Sequence, residues 1–249
     1  MKKRVICGLL VTLCCLSVAL PANAASNEDE LKERFSLREW IESLYEEDTY
    51  NYVAIGNSLT VHELTDFWWN ECGMAATTKE NDYVHQLSAM LKDKSEKEVE
   101  VNAIALKEWE KVPEGREEEL HKLDDLLNED TDLVTVQLSD NAWDDFEADY
   151  EKMLEYIKEK SPNAQIITIG AFWDISVKDS FIKEAAECEN VDYVSLDGLK
   201  NVPDFQSTFG ATVYDPQGIP HQINLNDVAI HPNDEGMKKI AERVFEKVE

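Results

Sequence analysis

From residue 50 onward, short Val- and Ile-rich segments alternate with helix-length amphipathic stretches, and this alternation limits the folds open to the chain. Strands are predicted over 50–55, 99–104, 132–138, 165–169 and 191–196. Helices are predicted over 80–91, 106–127 (interrupted at Pro113-Glu114-Gly115), 144–159, 179–186 and 237–248. Strands separated by helices pair in parallel through right-handed crossovers. Leu133, Val134 and Val136, like Ile166, Ile167 and Ile169, form nearly continuous apolar runs, as strands do when both sheet faces are covered. The expectation is a three-layer α/β/α domain around a central parallel sheet. One further helix is predicted over 35–47, with Leu37, Trp40, Ile41 and Leu44 on one face. Residues 202–226 lack periodicity and carry the turn signal Tyr214-Asp215-Pro216-Gln217-Gly218, which predicts a long loop or small hairpin near the cleft.

The chain starts Met1-Lys2-Lys3-Arg4, continues apolar over 5–20 and then reads Pro21-Ala22-Asn23-Ala24-Ala25. A basic start, a short apolar stretch and small residues at the cut describe a secretory signal peptide cleaved after Ala24. The competing reading, a membrane anchor, needs a longer apolar span, so no stable membrane insertion is expected. The expected organisation is a signal peptide over 1–24, a lead-in and helix over 25–46 and one domain over 47–249, acting outside the cytoplasm. Of the five cysteines, Cys72 and Cys188 lie beyond the leader; a disulfide between them and two separate thiols fit the sequence equally well. Acidic residues outnumber basic ones by 52 to 24, a net charge of −28. Such a chain repels nucleic-acid backbones and anionic lipid, which excludes nucleic acid as a partner and argues against a polyanionic substrate.

Function in open parallel sheets collects at the carboxyl ends of the strands. Ser58 follows the first strand in Ile55-Gly56-Asn57-Ser58-Leu59-Thr60, where Gly56 permits a sharp turn. Ser58 reads equally as a nucleophile or as a helix N-cap. Asn141 follows the third strand in Gln137-Leu138-Ser139-Asp140-Asn141 and can aim its amide at a developing oxyanion or form an Asx turn. His231 precedes the last helix in Ile230-His231-Pro232-Asn233-Asp234, where it can act as a general base. His62, His85 and His221 show no metal-ligand spacing, so no metal and no cofactor are expected.

These segments resemble the sequence blocks of the SGNH hydrolases, the GDSL esterase/lipase superfamily, over nearly all of residues 47–249. Gly56-Asn57-Ser58-Leu59-Thr60 is similar to the family's Gly-Asp-Ser-Leu block, with Asn57 in place of aspartate. Ser139-Asp140-Asn141-Ala142 is similar to Gly-x-Asn-Asp, with Ser139 replacing glycine and Ala142 replacing aspartate. Val228-Ala229-Ile230-His231-Pro232 is similar to Asp-x-x-His-Pro, with Val228 at the aspartate position and Asp227 one residue early. The family's glycine block after the second strand has no counterpart in residues 102–108. The resemblance implies a flavodoxin-like sheet, Ser58 as nucleophile, His231 as base, and an oxyanion hole from the Ser58 N–H and Asn141. The group orienting His231 is Asp227, a backbone carbonyl near Val228, or a carboxylate from elsewhere.

The segment Trp68-Trp69-Asn70-Glu71-Cys72-Gly73-Met74 resembles a recurring stretch in a bacterial branch of the superfamily. Trp68, Trp69 and Trp173 are candidates for an aromatic wall beside the serine, and core packing accounts for adjacent tryptophans as well. The expected activity is hydrolysis of short acyl esters, acetyl esters foremost, on a small molecule or an extracellular carbohydrate. The alternatives are a non-catalytic carbohydrate-binding or cell-surface protein on the same scaffold, and a glycan O-acyltransferase. The oligomeric state is left open.

Overall fold

The computed structural model describes residues 49–173 and 176–249. The leader read at 1–24 and the helix read at 35–47 lie outside these residues. Five parallel strands, β1 (Tyr50–Gly56), β2 (Val99–Ala105), β3 (Leu133–Gln137), β4 (Gln165–Ile169) and β5 (Asp192–Val194), form one sheet in the order β2-β1-β3-β4-β5. The helices are α1 (Tyr83–Ser95), α2 (Lys107–Lys111), α3 (Arg116–Leu120), α4 (Glu147–Lys160), α5 (Ser176–Glu189), α6 (Asn226–Ala229) and α7 (Asp234–Phe245). The long helix expected over 106–127 is broken into α2 and α3, joined by a 3₁₀ turn at Pro113–Gly115. Proline removes a backbone donor and cannot continue α2, which accounts for the break.

The pleat of β1 builds both layers at once. Tyr52 and Ala54 face a core completed by Leu87 of α1 and Ile240 of α7. Val53 and Ile55 face the opposite core, with Trp109 of α2 and Met153 of α4. Period-two alternation in a strand buried on both sides therefore yields the three-layer α/β/α arrangement. Caps seat the helices that flank the site: Asp82 accepts from the His85 N–H at the start of α1, and Asn233 accepts from the Gly236 N–H at the start of α7.

The irregular stretch over 202–226 contains an antiparallel pair, β6 (Thr212–Tyr214) and β7 (Pro220–Gln222). It packs against the segment after β1 through a small third core of Trp68, Met74, Val213, Ile223 and Val228. That core holds α6, the turn leading to His231. Cys72 is buried and Cys188 exposed, and both are free thiols. No helix among the described residues is long and apolar enough to cross a membrane.

In this strand order the crevice lies between the C-terminal ends of β1 and β3, where successive connections leave in opposite directions. Gly56 closes β1 there, in register with Ala105 of β2 and Gln137 of β3. A Cβ at Gly56 would collide with the Thr60 hydroxyl and lie 2.7 Å from the Gln137 carbonyl oxygen. Gly56→Ala is therefore expected to lower the unfolding free energy by about 1–3 kcal/mol, the cost of overpacking, as measured by urea denaturation.

Candidate active site

Ser58 emerges from the turn after β1. Asn57 shapes that turn by accepting from the Thr60 and Val61 N–H groups at its carbonyl and from the Leu59 N–H at its side-chain Oδ1. The Ser58 hydroxyl lies 2.8 Å from His231 Nε2, although 173 residues separate the two. On the other side of the ring, Nδ1 lies 2.7 Å from the backbone carbonyl of Asp227. A carbonyl only accepts, so the proton sits on Nδ1 and the Nε2 lone pair faces the serine hydroxyl. This is the tautomer a general base requires.

Of the groups the sequence left open to orient His231, the one in contact is a backbone carbonyl, that of Asp227. Asp227 touches His231 through its main chain, and its carboxylate belongs to an exposed residue. The reason is local: the helical turn of α6 brings the carbonyl of residue 227 to the ring of residue 231, and the side chain points outward. A neutral dipole, and not a carboxylate, thus fixes the imidazole. Burial pushes the His231 pKa down to about 4, partly offset by the hydrogen bond to the Asp227 carbonyl. His231 is neutral over the ordinary pH range.

Asn141 lies across the crevice, after β3. Its side-chain Nδ2 donates to Glu110 Oε2 at 2.7 Å, and its backbone N–H donates to Glu110 Oε1 at 3.2 Å. Glu110, buried on α2, also accepts at Oε1 from the Ser139 N–H (2.7 Å) and from Asn57 Nδ2 (3.0 Å). The other Asn57 amide proton goes to Asp140 Oδ2 at 3.2 Å. Asp140 is buried too, and it accepts in addition from Gln137 Nε2 and the Phe172 N–H. Burial first, and the nearby Glu110 charge second, raise the Asp140 pKa to about 6 despite these donors.

This arrangement explains the asparagine at position 57; the serine at 139 has no structural explanation. An aspartate at position 57 would set a third carboxylate against Glu110 and Asp140, where asparagine supplies the donors both require. Ser139 has φ +146°, a conformation that favours glycine, and its N–H is held by Glu110. Sequence reading passed over Glu110. The available signal was weak: an acid four residues beyond Leu106, a spacing that puts both on one face of the helix expected over 106–127.

The three candidate wall tryptophans separate. Trp68 is core, 1 % exposed. Trp69 stacks on His221, with ring centroids 4.5 Å apart. Trp173 alone meets the dyad, edge-on to His231 at 5.0 Å. Trp143, two residues after Asn141, is 87 % exposed. Lys178 reaches its ring at 4.9 Å while donating to the Asp140 carbonyl at 2.6 Å.

The fold and the Ser–His pair define an open α/β protein with a serine poised at the switch point of the sheet. The fold resembles that of the SGNH/GDSL esterase-lipase superfamily. No protein-family model and no curated protein matches the sequence. Among solved structures, a family 3 carbohydrate esterase from Clostridium thermocellum aligns at 14% identity and TM-score 0.53, over 80% of this chain and 94% of that one. An extracellular lipase from Streptomyces rimosus aligns at 13% identity and TM-score 0.51, over 80% of this chain and 100% of that one. A two-domain esterase active on acetylated mannans aligns at 15% identity and TM-score 0.52, over 85% of this chain and 52% of that one.

The pH dependence of stability follows from the His231 environment. Its folded pKa of about 4 lies below its ordinary value of 6.5, so the unfolded chain takes the proton first as pH falls. The stability His231 lends is present above pH 6.5 and is lost down to about pH 4. Relative to a His231→Gln variant, the native protein is expected to lose up to about 3 kcal/mol across that window. Denaturation at stepped pH checks this, and the ring resonances of His231 should titrate near 4.

Proposed function

We propose that this protein is a serine esterase that removes short acyl groups, acetyl foremost, from carbohydrate. The observation that carries the reading is the 2.8 Å contact between the Ser58 hydroxyl and His231 Nε2, with the ring tautomer set by the Asp227 carbonyl. In the first step Oγ attacks the ester carbonyl carbon while its proton passes to Nε2. The Ser58 N–H and the Asn141 amide hold the oxyanion that forms. Collapse of this intermediate breaks the carbon–alkoxide bond, and the Nε2 proton goes to the leaving alkoxide. Water, deprotonated by the same nitrogen, then attacks the acyl-serine; the carbon–Oγ bond breaks, the Nε2 proton returns to Ser58 Oγ, and the carboxylic acid product leaves. Asp227 serves this cycle through its carbonyl, which accepts from Nδ1–H throughout and partly stabilises the imidazolium.

Two further observations support the substrate class. A net charge of −28 favours a neutral ester over a polyanionic one. The exposed Trp143 indole, two residues from Asn141, offers an apolar face of the kind a sugar ring stacks on. The solved esterase active on acetylated mannans shares this fold. The leader read over residues 1–24 accords with an extracellular substrate.

Ser58→Ala is expected to abolish hydrolysis of p-nitrophenyl acetate and covalent labelling by a fluorophosphonate while leaving the circular dichroism spectrum unchanged. Activity retained in that variant would remove Ser58 from the mechanism. A wild type that binds acetylated oligosaccharide without turnover or labelling would make the protein a carbohydrate-binding module. Trp143→Ala is expected to leave kcat/KM for p-nitrophenyl acetate unchanged and to raise KM for an acetylated oligosaccharide roughly three- to tenfold, the value of one aromatic contact. An equal KM for both proteins on the oligosaccharide would rule out the sugar platform.

A further inference from the structure

Among the described residues Glu110 meets four donors, divided unequally between its two oxygens. Oε1 accepts from the Ser139 and Asn141 backbone N–H groups and from Asn57 Nδ2. Among the described residues, Oε2 accepts from Asn141 Nδ2 alone, at 2.7 Å. An asparagine side chain has two nearly isosteric orientations related by an amide flip, and only one presents N–H₂ toward a given side. A carboxylate can only accept, so Glu110 permits the orientation that turns Asn141 Nδ2 toward it. One amide proton is then bound by Oε2 and the other stays on the same nitrogen, available to an oxyanion. Asn57, next to Ser58, is oriented by the same carboxylate and by the Leu59 N–H.

We infer that Glu110 is a positioning residue: its buried carboxylate locks the amide of Asn141 in the donor orientation and ties that donor to the nucleophile turn. This rests on the esterase reading above. The role needs a buried acceptor charge, which explains why an acid sits on the apolar face of α2 beside Trp109. Charge-assisted hydrogen bonds are the stronger kind, so the clamp holds the amide against rotation when the oxyanion forms.

Glu110→Gln is a selective probe. Its remaining oxygen can keep the three Oε1 contacts, while its new N–H₂ faces Asn141 Nδ2 and forces that amide to flip. On p-nitrophenyl acetate, Glu110→Gln is expected to lower kcat by about 10²-fold, the scale of one lost oxyanion donor, with KM within twofold of wild type. Adding it to Asn141→Ala should cost little more than Asn141→Ala alone. The paired exchange Glu110→Gln with Asn141→Asp restores a donor–acceptor match, so it should regain the thermal midpoint and not the turnover. That pair keeps the test readable if Glu110→Gln alone unfolds.

A folded Glu110→Gln protein with wild-type kcat overturns the role of Glu110 and leaves the esterase reading standing. Multiplicative losses in the double variant with Asn141→Ala, or turnover regained in the paired exchange, overturn it equally. A wild type that neither turns over ester nor labels at Ser58 overturns the esterase reading instead. The side-chain amide resonances of Asn141, compared between wild type and Glu110→Gln, then decide the clamp separately: an unchanged pair of resonances overturns it.

Discussion

Two buried carboxylates, Glu110 and Asp140, hold the C-terminal edge of the sheet together, and the candidate site depends on them. One comes from the helix after β2 and the other from the turn after β3. Both bind the same Asn57 amide, which follows β1. Three strand ends are thereby joined by hydrogen bonds from a single side chain. Burying two acids is expensive, because each loses hydration and each repels the other. The raised Asp140 pKa registers that cost, and the dense set of N–H donors around both acids offsets it. A network of this kind gives little net stability. It gives a defined arrangement, since a buried carboxylate left without its donors would cost more than any alternative packing returns.

The same logic distinguishes the two sides of the crevice. On the Ser58 and Asn141 side, charge fixes the geometry of neutral amides. On the His231 side, a neutral carbonyl fixes a titratable ring. Burial lowers the basicity of this imidazole, and the Asp227 carbonyl, a dipole without the charge of a carboxylate, offsets only part of that loss. The pair is therefore built to keep His231 neutral and ready to accept a proton. In the proposed esterase cycle it would contribute less to holding that proton in the transition state than a carboxylate-backed histidine.

The cap formed by β6, β7, α6 and the segment following β1 connects these features. Its small core packs Trp68 against Val213, Ile223 and Val228, and so sets where the turn before His231 can lie. Trp68, for which the sequence left a substrate wall and core packing both open, is core and anchors the turn that carries His231. Trp143, which no sequence pattern singled out, stands in solvent two residues after Asn141.

The strand–helix alternation, the two-sided burial of β3 and β4, and the residue types Ser58, Asn141 and His231 were legible in the sequence. Each rests on local periodicity or on a short block whose chemistry is carried by residue identity. The sequence also marked its own departures at Asn57, Ser139 and Val228. Only the tertiary structure decided what those at Asn57 and Val228 mean. Contacts spanning 53 residues between Asn57 and Glu110, and 173 between Ser58 and His231, leave no trace in local spacing. Whether Asp227 acts through its carboxylate or its carbonyl depends on the rotation of one helical turn, which residue order does not specify. The chain's own pattern placed a serine after the first strand of a parallel sheet and a histidine before the last helix. Packing in three dimensions determined which groups hold them there, because orientation is set by neighbours that the sequence places far away.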